Sequence, residues 1–248
     1  MKILGIIPAR YASSRFPGKP LAKINRKSMI QRVYEQSAKA TSLSDLIVAT
    51  DDKRIEKKVL DFGGKVMLTS TTHKSGTERC REVIDELQAD GNIFDVIINI
   101  QGDEPYISPK QIDQVASCFK STDVQIATLI KKITTPEELF NPNVNKVIIN
   151  KNHQAIYFSR QAIPFIQNSD KQEWIRKHEF YKHIGIYAYK TNILKEITKL
   201  NITPLEKAES LEQLRWLENG YKITVSETDI ESYAVDTPDD LSKFFNKT

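Results

Sequence analysis

The sequence predicts an α/β fold, a mainly parallel central sheet with helices on both faces. Three observations predict it. Short, mainly aliphatic runs recur along the chain, amphipathic helical patterns lie between them, and the composition is that of an ordinary globular protein: 248 residues, 40% hydrophobic and 27% charged. Disorder and fibrous structure are thereby set aside. The strand candidates are Ile3 to Ile7, Leu46 to Thr50, Lys65 to Leu68, Val96 to Ile100 and Ile126 to Ile130. Mainly aliphatic runs of this length suit strands covered on both sides. Helices are expected at 28–40, 52–62, 77–88 and 109–119, the last opened by Ser108-Pro109, an N-cap residue followed by a proline at the first helical position. Strand and helix in alternation imply crossover connections, and hence parallel neighbours.

The second half is less regular. Val147 to Asn150 and Ala155 to Phe158 flank Lys151-Asn152-His153, where a hairpin turn is plausible, and Gly185 to Tyr189 reads as a further strand. Helices are expected at 191–199 and at 204–219, where Gly220 stops the second, and a last one begins near Thr237-Pro238-Asp239-Asp240. No repeat, linker or composition break divides the chain, so one domain over 1–248 is expected, with an inserted or appended second lobe.

The formal charge of +4, from 36 basic and 32 acidic side chains, is far from that of a protein that coats nucleic acid. Its distribution is more informative, because residues 1–40 hold nine basic side chains and only one acidic, Glu35. Cys80 and Cys118 lie in helical patterns without a CxxC partner and read as buried thiols in a reducing compartment. The first residues lack the features of a signal peptide, and no apolar run approaches a membrane span. A cytoplasmic protein without nucleic-acid or membrane partners is expected.

Open parallel sheets bind ligands at the carboxyl ends of their strands. After Ile7 the chain reads Pro8-Ala9-Arg10-Tyr11-Ala12-Ser13-Ser14-Arg15-Phe16-Pro17-Gly18-Lys19-Pro20-Leu21, with Arg10, Arg15 and Lys19 as permanent cations, Ser13 and Ser14 as donors, and Gly18 for close backbone approach. Such a loop suits a polyphosphate and can stabilise charge on a leaving pyrophosphate. A solvated basic loop is the plainer alternative; its place after the first buried strand favours the site. Neither GxxxxGK followed by Ser or Thr nor GxGxxG occurs, which argues against a P-loop NTPase and an ordinary dinucleotide dehydrogenase. A second post-strand segment, Asn99-Ile100-Gln101-Gly102-Asp103-Glu104-Pro105, offers a carboxylate that could hold Mg²⁺ against phosphates, or could merely shape a turn. In Val235-Asp236-Thr237-Pro238, Asp236 reads either as a second metal carboxylate or, like Thr237, as a helix cap. Periodicity cannot bring positions 103 and 236 together.

These segments carry a resemblance. IIPARYASSRFPGKPL at 6–21, HKSGTERC at 73–80, QGDEP at 101–105, FNPNVNKV at 140–147, YFSR at 157–160, HIGIYAY at 183–189, PLEKAESLEQLR at 204–215 and VDTPDDL at 235–241 resemble the 3-deoxy-manno-octulosonate cytidylyltransferases, collinearly over nearly the whole chain. The resemblance implies a Rossmann-like nucleotide-diphospho-sugar transferase fold, with a nucleotide-binding part over about 1–130, a smaller sugar-binding and dimerisation part over about 131–230, and a return to the metal site over 231–248. It implies a homodimer that joins CTP to 3-deoxy-manno-octulosonate (Kdo), giving CMP-Kdo and pyrophosphate with Mg²⁺. Ala9, Arg10, Ser13, Arg15 and Lys19 would bind the CTP phosphates, Ser75, Gly76 and Arg79 would lie at the cytidine, and Asp103 and Asp236 would hold the metal. Lys19, Asp103 and Asp236 would be the catalytic set, while Gln101, Arg160, His183, Tyr187, Glu212 and Gln213 would line the sugar pocket. That last set suits an acidic polyhydroxy sugar, though each member has a duller structural explanation. A cytidylyltransferase for sialic acid or an amino-substituted Kdo is the neighbouring alternative; a non-catalytic nucleotide- or RNA-binding module using the basic loop is the remoter one, as no RNA-binding aromatic motif accompanies the charge. The Asn25-Arg26-Lys27-Ser28 turn departs from the Asn-Gly-Lys-Pro often found in the family.

Overall fold

β1 (Ile3–Ala9) occupies the middle of the sheet, buried at six of its seven positions. The computed structural model describes residues 1–12 and 16–245. After the first loop a small hairpin, β2 (Lys23–Ile24) and β3 (Lys27–Ser28), turns through Asn25 and Arg26, both at positive φ. Asn accepts that conformation readily; Arg26, at φ 69°, stands where glycine costs least. Then come α1 (Met29–Ser37), β4 (Asp45–Thr50), α2 (Lys53–Asp61), β5 (Val66–Leu68), α3 (Gly76–Ala89), β6 (Val96–Asn99), α4 (Pro109–Ser117) and β7 (Ile126–Lys132). Side chains start three of these helices: Ser28, Asp52 and Ser75 each accept a backbone N–H of the first turn.

β1 pairs in parallel with β4 on one side and β6 on the other, and β4 with β5. The chain thus winds outward in both directions from β1, which makes the β1–β6 gap a topological switch point. Alternate residues of β1 serve two cores. Ile3 and Ile7 join Ile30, Val33, Ile55, Val59, Ile112 and Val115 from α1, α2 and α4. Leu4 and Ile6 join Cys80, Val83 and Ile84 of α3 on the other face. Cys80 is a free thiol whose pKa burial raises well above the ordinary range.

The second half contains α5 (Pro136–Phe140), β8 (Lys146–Ile149), β9 (Ala155–Ser159), α6 (Trp174–Lys177), β10 (Tyr181–Lys190), α7 (Thr191–Ile197), α8 (Pro204–Glu209), α9 (Gln213–Glu218), β11 (Ile223–Glu227) and α10 (Pro238–Phe245). The sheet order is β11-β7-β10-β6-β1-β4-β5, with β8 and β9 branching from β10. β10 runs antiparallel to both β6 and β7, and β8 is antiparallel to β10 and β9. The parallel expectation therefore describes the β1, β4, β5, β6 part and the β7–β11 pair. Strand direction leaves no mark on hydrophobic pattern, and β10 enters from the far lobe, whose own small core gathers Ile133, Leu139, Trp174 and Phe180.

The continuous helix expected over 204–219 is two helices. Ser210 takes the left-handed conformation at φ 53° and ends α8. The buried Arg215–Glu206 ion pair then folds α9 back onto α8. β11 is a strand that sequence reading missed, although its alternating Ile223, Val225 burial is the period-2 signal. No helix among the described residues is long and apolar enough to cross a membrane.

Candidate active site

β1 and β6 pair only as far as Ile6 and Asn99, so Pro8, which has no N–H, sits where the two strands have parted. The crevice opened there is a cavity of about 290 Å³ lined by the loops after β1 and β6, the start of α3 and Asp236. Glycine permits the approach: a Cβ on Gly102 would stand 2.5 Å from the Pro8 carbonyl oxygen, and one on Gly76 would meet the Pro8 ring at 3.3 Å. A larger hollow of about 600 Å³ lies against β8, α6 and the start of β10. The smaller cavity is the candidate because charged groups from separate elements converge on it at a switch point.

Lys19 is placed by the turn before it. Gly18, in the left-handed conformation at φ 72°, donates its N–H to Tyr11 O at 2.9 Å, closing the loop, and Lys19 N–H bonds Phe16 O at 3.2 Å. The ring of Tyr11 lies beneath the Arg54 guanidinium, 3.3 Å from its centre. The Lys19 ammonium reaches across the crevice to Asp103 Oδ2 at 2.6 Å and the Val235 carbonyl at 2.8 Å, with Asp236 Oδ1 at 3.7 Å. The Val235 N–H in turn donates to the Asp103 carbonyl at 2.9 Å. Positions 103 and 236, unconnected in sequence, thus share one cation. Thr237 caps α10 through Asp240, whose Oδ2 accepts from the Asp236 and Thr237 amides and the Thr237 hydroxyl, and the Asp236 carboxylate faces the site instead. Ala9 and Arg10 line the same cavity. Ser13 and Arg15 fall outside the described residues.

At the other end, Ser75, Gly76 and Arg79 line the cavity beside His73 and Lys74. Arg79 is 3% exposed, and its guanidinium is already engaged by Asp51 Oδ2 at 2.8 Å, Thr69 Oγ1 and Ser70 O. It therefore fixes the 69–70 segment to α3, with its charge balanced by Asp51. His73, which sequence reading left unassigned, precedes α3 and is held by Glu82 within that helix. Its sequence signal was its place at the head of the HKSGTERC segment at 73–80.

Of the six residues expected at the sugar, Gln101 alone lines this cavity. Gly185, opposite it, leaves room: a Cβ there would meet only Gln101 Cγ and Glu104 Oε1, both at 3.6 Å. Tyr187 is buried beside Asn99, its β6 partner, and both the Tyr187 hydroxyl and Asn99 Oδ1 have no hydrogen-bond partner among the described residues. Glu212 is linked to the nucleotide end, accepting from Thr77 Oγ1 at 2.9 Å, and burial raises its pKa. Gln213 is buried one residue on. His183, of intermediate exposure, lies against Thr128 at 2.9 Å, and desolvation of its ring lowers its pKa to about 3, so it is neutral and supplies no cation. Arg160 lies on the second lobe, with Nε on the Glu209 carbonyl at 2.7 Å. Glu104, behind Asp103, is pushed up to about 7 by burial, opposed by a hydrogen bond from Ser232.

A cationic loop facing two carboxylates across the switch point of a half-parallel sheet is the layout of a nucleotidyltransferase. A family model described as cytidylyltransferase matches residues 4–223. The 3-deoxy-manno-octulosonate cytidylyltransferase of Bacteroides thetaiotaomicron is 58% identical over 244 residues, covering 97% of this chain and 96% of its own length. That of Parabacteroides distasonis is 56% identical over 247 residues, covering 98% and 96%. A solved CMP:2-keto-3-deoxy-manno-octonic acid synthetase complexed with CTP matches with a TM-score of 0.90 at 40% identity, over 98% of this chain and 96% of that one. The chain belongs to the 3-deoxy-manno-octulosonate cytidylyltransferase family.

Proposed function

We propose that this chain transfers the cytidylyl group of CTP to Kdo, giving CMP-Kdo and pyrophosphate. The observation that carries the reading is the meeting of Lys19, Asp103 and Asp236 beside Arg10 at the β1–β6 switch point, in a chain of this family. The anomeric hydroxyl of Kdo attacks the α-phosphorus in line with the leaving pyrophosphate: its proton passes to solvent water, the new O–P bond forms, and the bond from the α-phosphorus to the bridging oxygen breaks with its electron pair leaving on pyrophosphate. Such transfers depend mostly on positioning and charge neutralisation. Arg10 and Lys19 offset the charge on the pyrophosphate. Gln101 lines the cavity and offers its amide to a polyhydroxy substrate, and Tyr187, Glu212 and Gln213 are proposed to join it at the sugar. Arg160 is the cation proposed for the sugar carboxylate.

Magnesium belongs to the same proposal. Asp103 and Asp236 would hold it, and the donor set fits: hard carboxylate oxygens already gathered about one cation, to be completed by phosphate oxygens and water. When bound, the ion supplies charge neutralisation at the phosphates and lowers the pKa of the attacking hydroxyl. A homodimer in the cytoplasm completes the reading, and exposed Ile156 and Phe165, 56% and 73% accessible on the second lobe, support self-association through that lobe. The test is pyrophosphate release from each nucleoside triphosphate, with Mg²⁺, across a panel of acidic sugars. Release with CTP and Kdo is the expected result; silence across the panel, or release only with a different acidic sugar, rejects it.

A further inference from the structure

We propose that the Lys19 ammonium is a resident counter-ion for Asp103 and Asp236, and that divalent metal and CTP enter by a coupled exchange in which the metal takes the carboxylates and the triphosphate takes Lys19. The inference rests on the proposed function and concerns how its two charged ligands assemble. Asp103 Oδ2 at 2.6 Å, Val235 O at 2.8 Å and Asp236 Oδ1 at 3.7 Å surround the ammonium, whose side chain is 14% exposed. The Lys19 backbone is fixed by the Gly18 turn, whereas its four-carbon stem is flexible, so the charge can move without moving the loop.

Each ligand alone meets a penalty. A divalent cation arriving without nucleotide must compete with an ammonium already paired to the same carboxylates, and like charges at this separation repel strongly in a part-buried site. A triphosphate arriving without metal must draw Lys19 off two carboxylates that then face its phosphates bare. With both present, each carboxylate and each phosphate finds a cation, and the penalties vanish together. Coupling between two ligands is reciprocal and commonly amounts to about 5- to 150-fold in affinity.

Two binding measurements without turnover test this. Mn²⁺ binding to the CTP-free protein is followed by the loss of the free-ion electron paramagnetic resonance signal. Lys19→Met should bind Mn²⁺ at least about fivefold more tightly than the wild type. Binding that is no tighter, including undetectable binding in both proteins, overturns the exchange. CTP binding in EDTA is followed by calorimetry. Asp103→Asn should bind metal-free CTP at least about fivefold more tightly than the wild type, and unchanged or weaker binding overturns the exchange. The two arms use different variants, each checked by thermal melting, so one that fails to fold leaves the other decisive. A wild type that binds no CTP even with excess Mg²⁺ rejects the functional reading itself, an outcome separate from either arm.

Discussion

Asp103 has its carboxylate on Lys19, its carbonyl on the Val235 N–H, and a glycine before it whose missing Cβ lets the loop lie on Pro8. Substitution of the carboxylate alone separates chemistry from fold. Asp103→Asn should lower turnover by at least 10²- to 10³-fold, the scale on which single electrostatic contacts to a transition state act. Its melting temperature should stay close to wild type; near-normal turnover in steady-state assays is incompatible with a metal or charge-positioning role. Tyr187 presents the opposite case. Its hydroxyl is buried without a partner among the described residues, an arrangement that costs about 1–3 kcal/mol. Tyr187→Phe should therefore be neutral or slightly stabilising in urea denaturation, while raising KM for Kdo and leaving KM for CTP unchanged. A clear loss of stability would show the hydroxyl to be structural.

At the scale of elements, the segment 228–236 joins β11 to the site. It is tied down by Thr228 N–H to Ile130 O at 2.8 Å, by Lys182 to Glu231 at 2.6 Å, by Ser232 to Glu104 and by Val235 to Asp103. A chain with no regular structure is thus held at each step as it delivers Asp236. The α8–α9 corner is held differently, chiefly by an ion pair whose Arg215 and Glu206 side chains are 8% and 11% exposed, with the Leu205 N–H donating to Glu218 Oε2 at 3.2 Å beside it. Removing one member strands a buried charge, which typically costs about 3–5 kcal/mol, whereas replacing both with apolar groups costs little. Arg215→Met should lose about 3 kcal/mol in chemical denaturation, and Arg215→Met with Glu206→Leu should recover most of it. Equal losses in the single and double variants would show that packing, not charge, holds the corner.

For the whole molecule, His183 couples stability to pH. Desolvation of its ring lowers its pKa from 6.5 to about 3, so the unfolded chain takes up a proton over that interval and the folded protein does not. Above pH 6.5 both states are neutral and the histidine is silent. As pH falls from 6.5 toward 3, stability is lost, with a limiting slope of about 1.4 kcal/mol per pH unit for a single site. His183→Gln should flatten the urea midpoint against pH in that window relative to wild type; parallel profiles would remove the assignment.

Much of this architecture is legible in the sequence. The aliphatic runs located β1, β4, β5, β6 and β7 within a residue or two, because β1, β4, β6 and β7 are buried on both faces and must be mainly apolar, while β5, at the sheet edge, keeps a short apolar run though none of it is buried. The post-strand cations and the Gly102-Asp103 step pointed to the site, because Lys19 and Asp103 carry charge immediately after strands that end at a switch point. The antiparallel direction of β10, the break at Ser210 and the packing of Arg79 against Asp51 were not legible, because each depends on partners far away in the chain. Local pattern, being a matter of neighbouring side chains, was enough to determine the α/β class and the chemistry each loop could offer. Only the tertiary structure decided that Asp103 and Asp236 would share Lys19, because proximity across 133 positions is a property of chain topology and no periodicity records it.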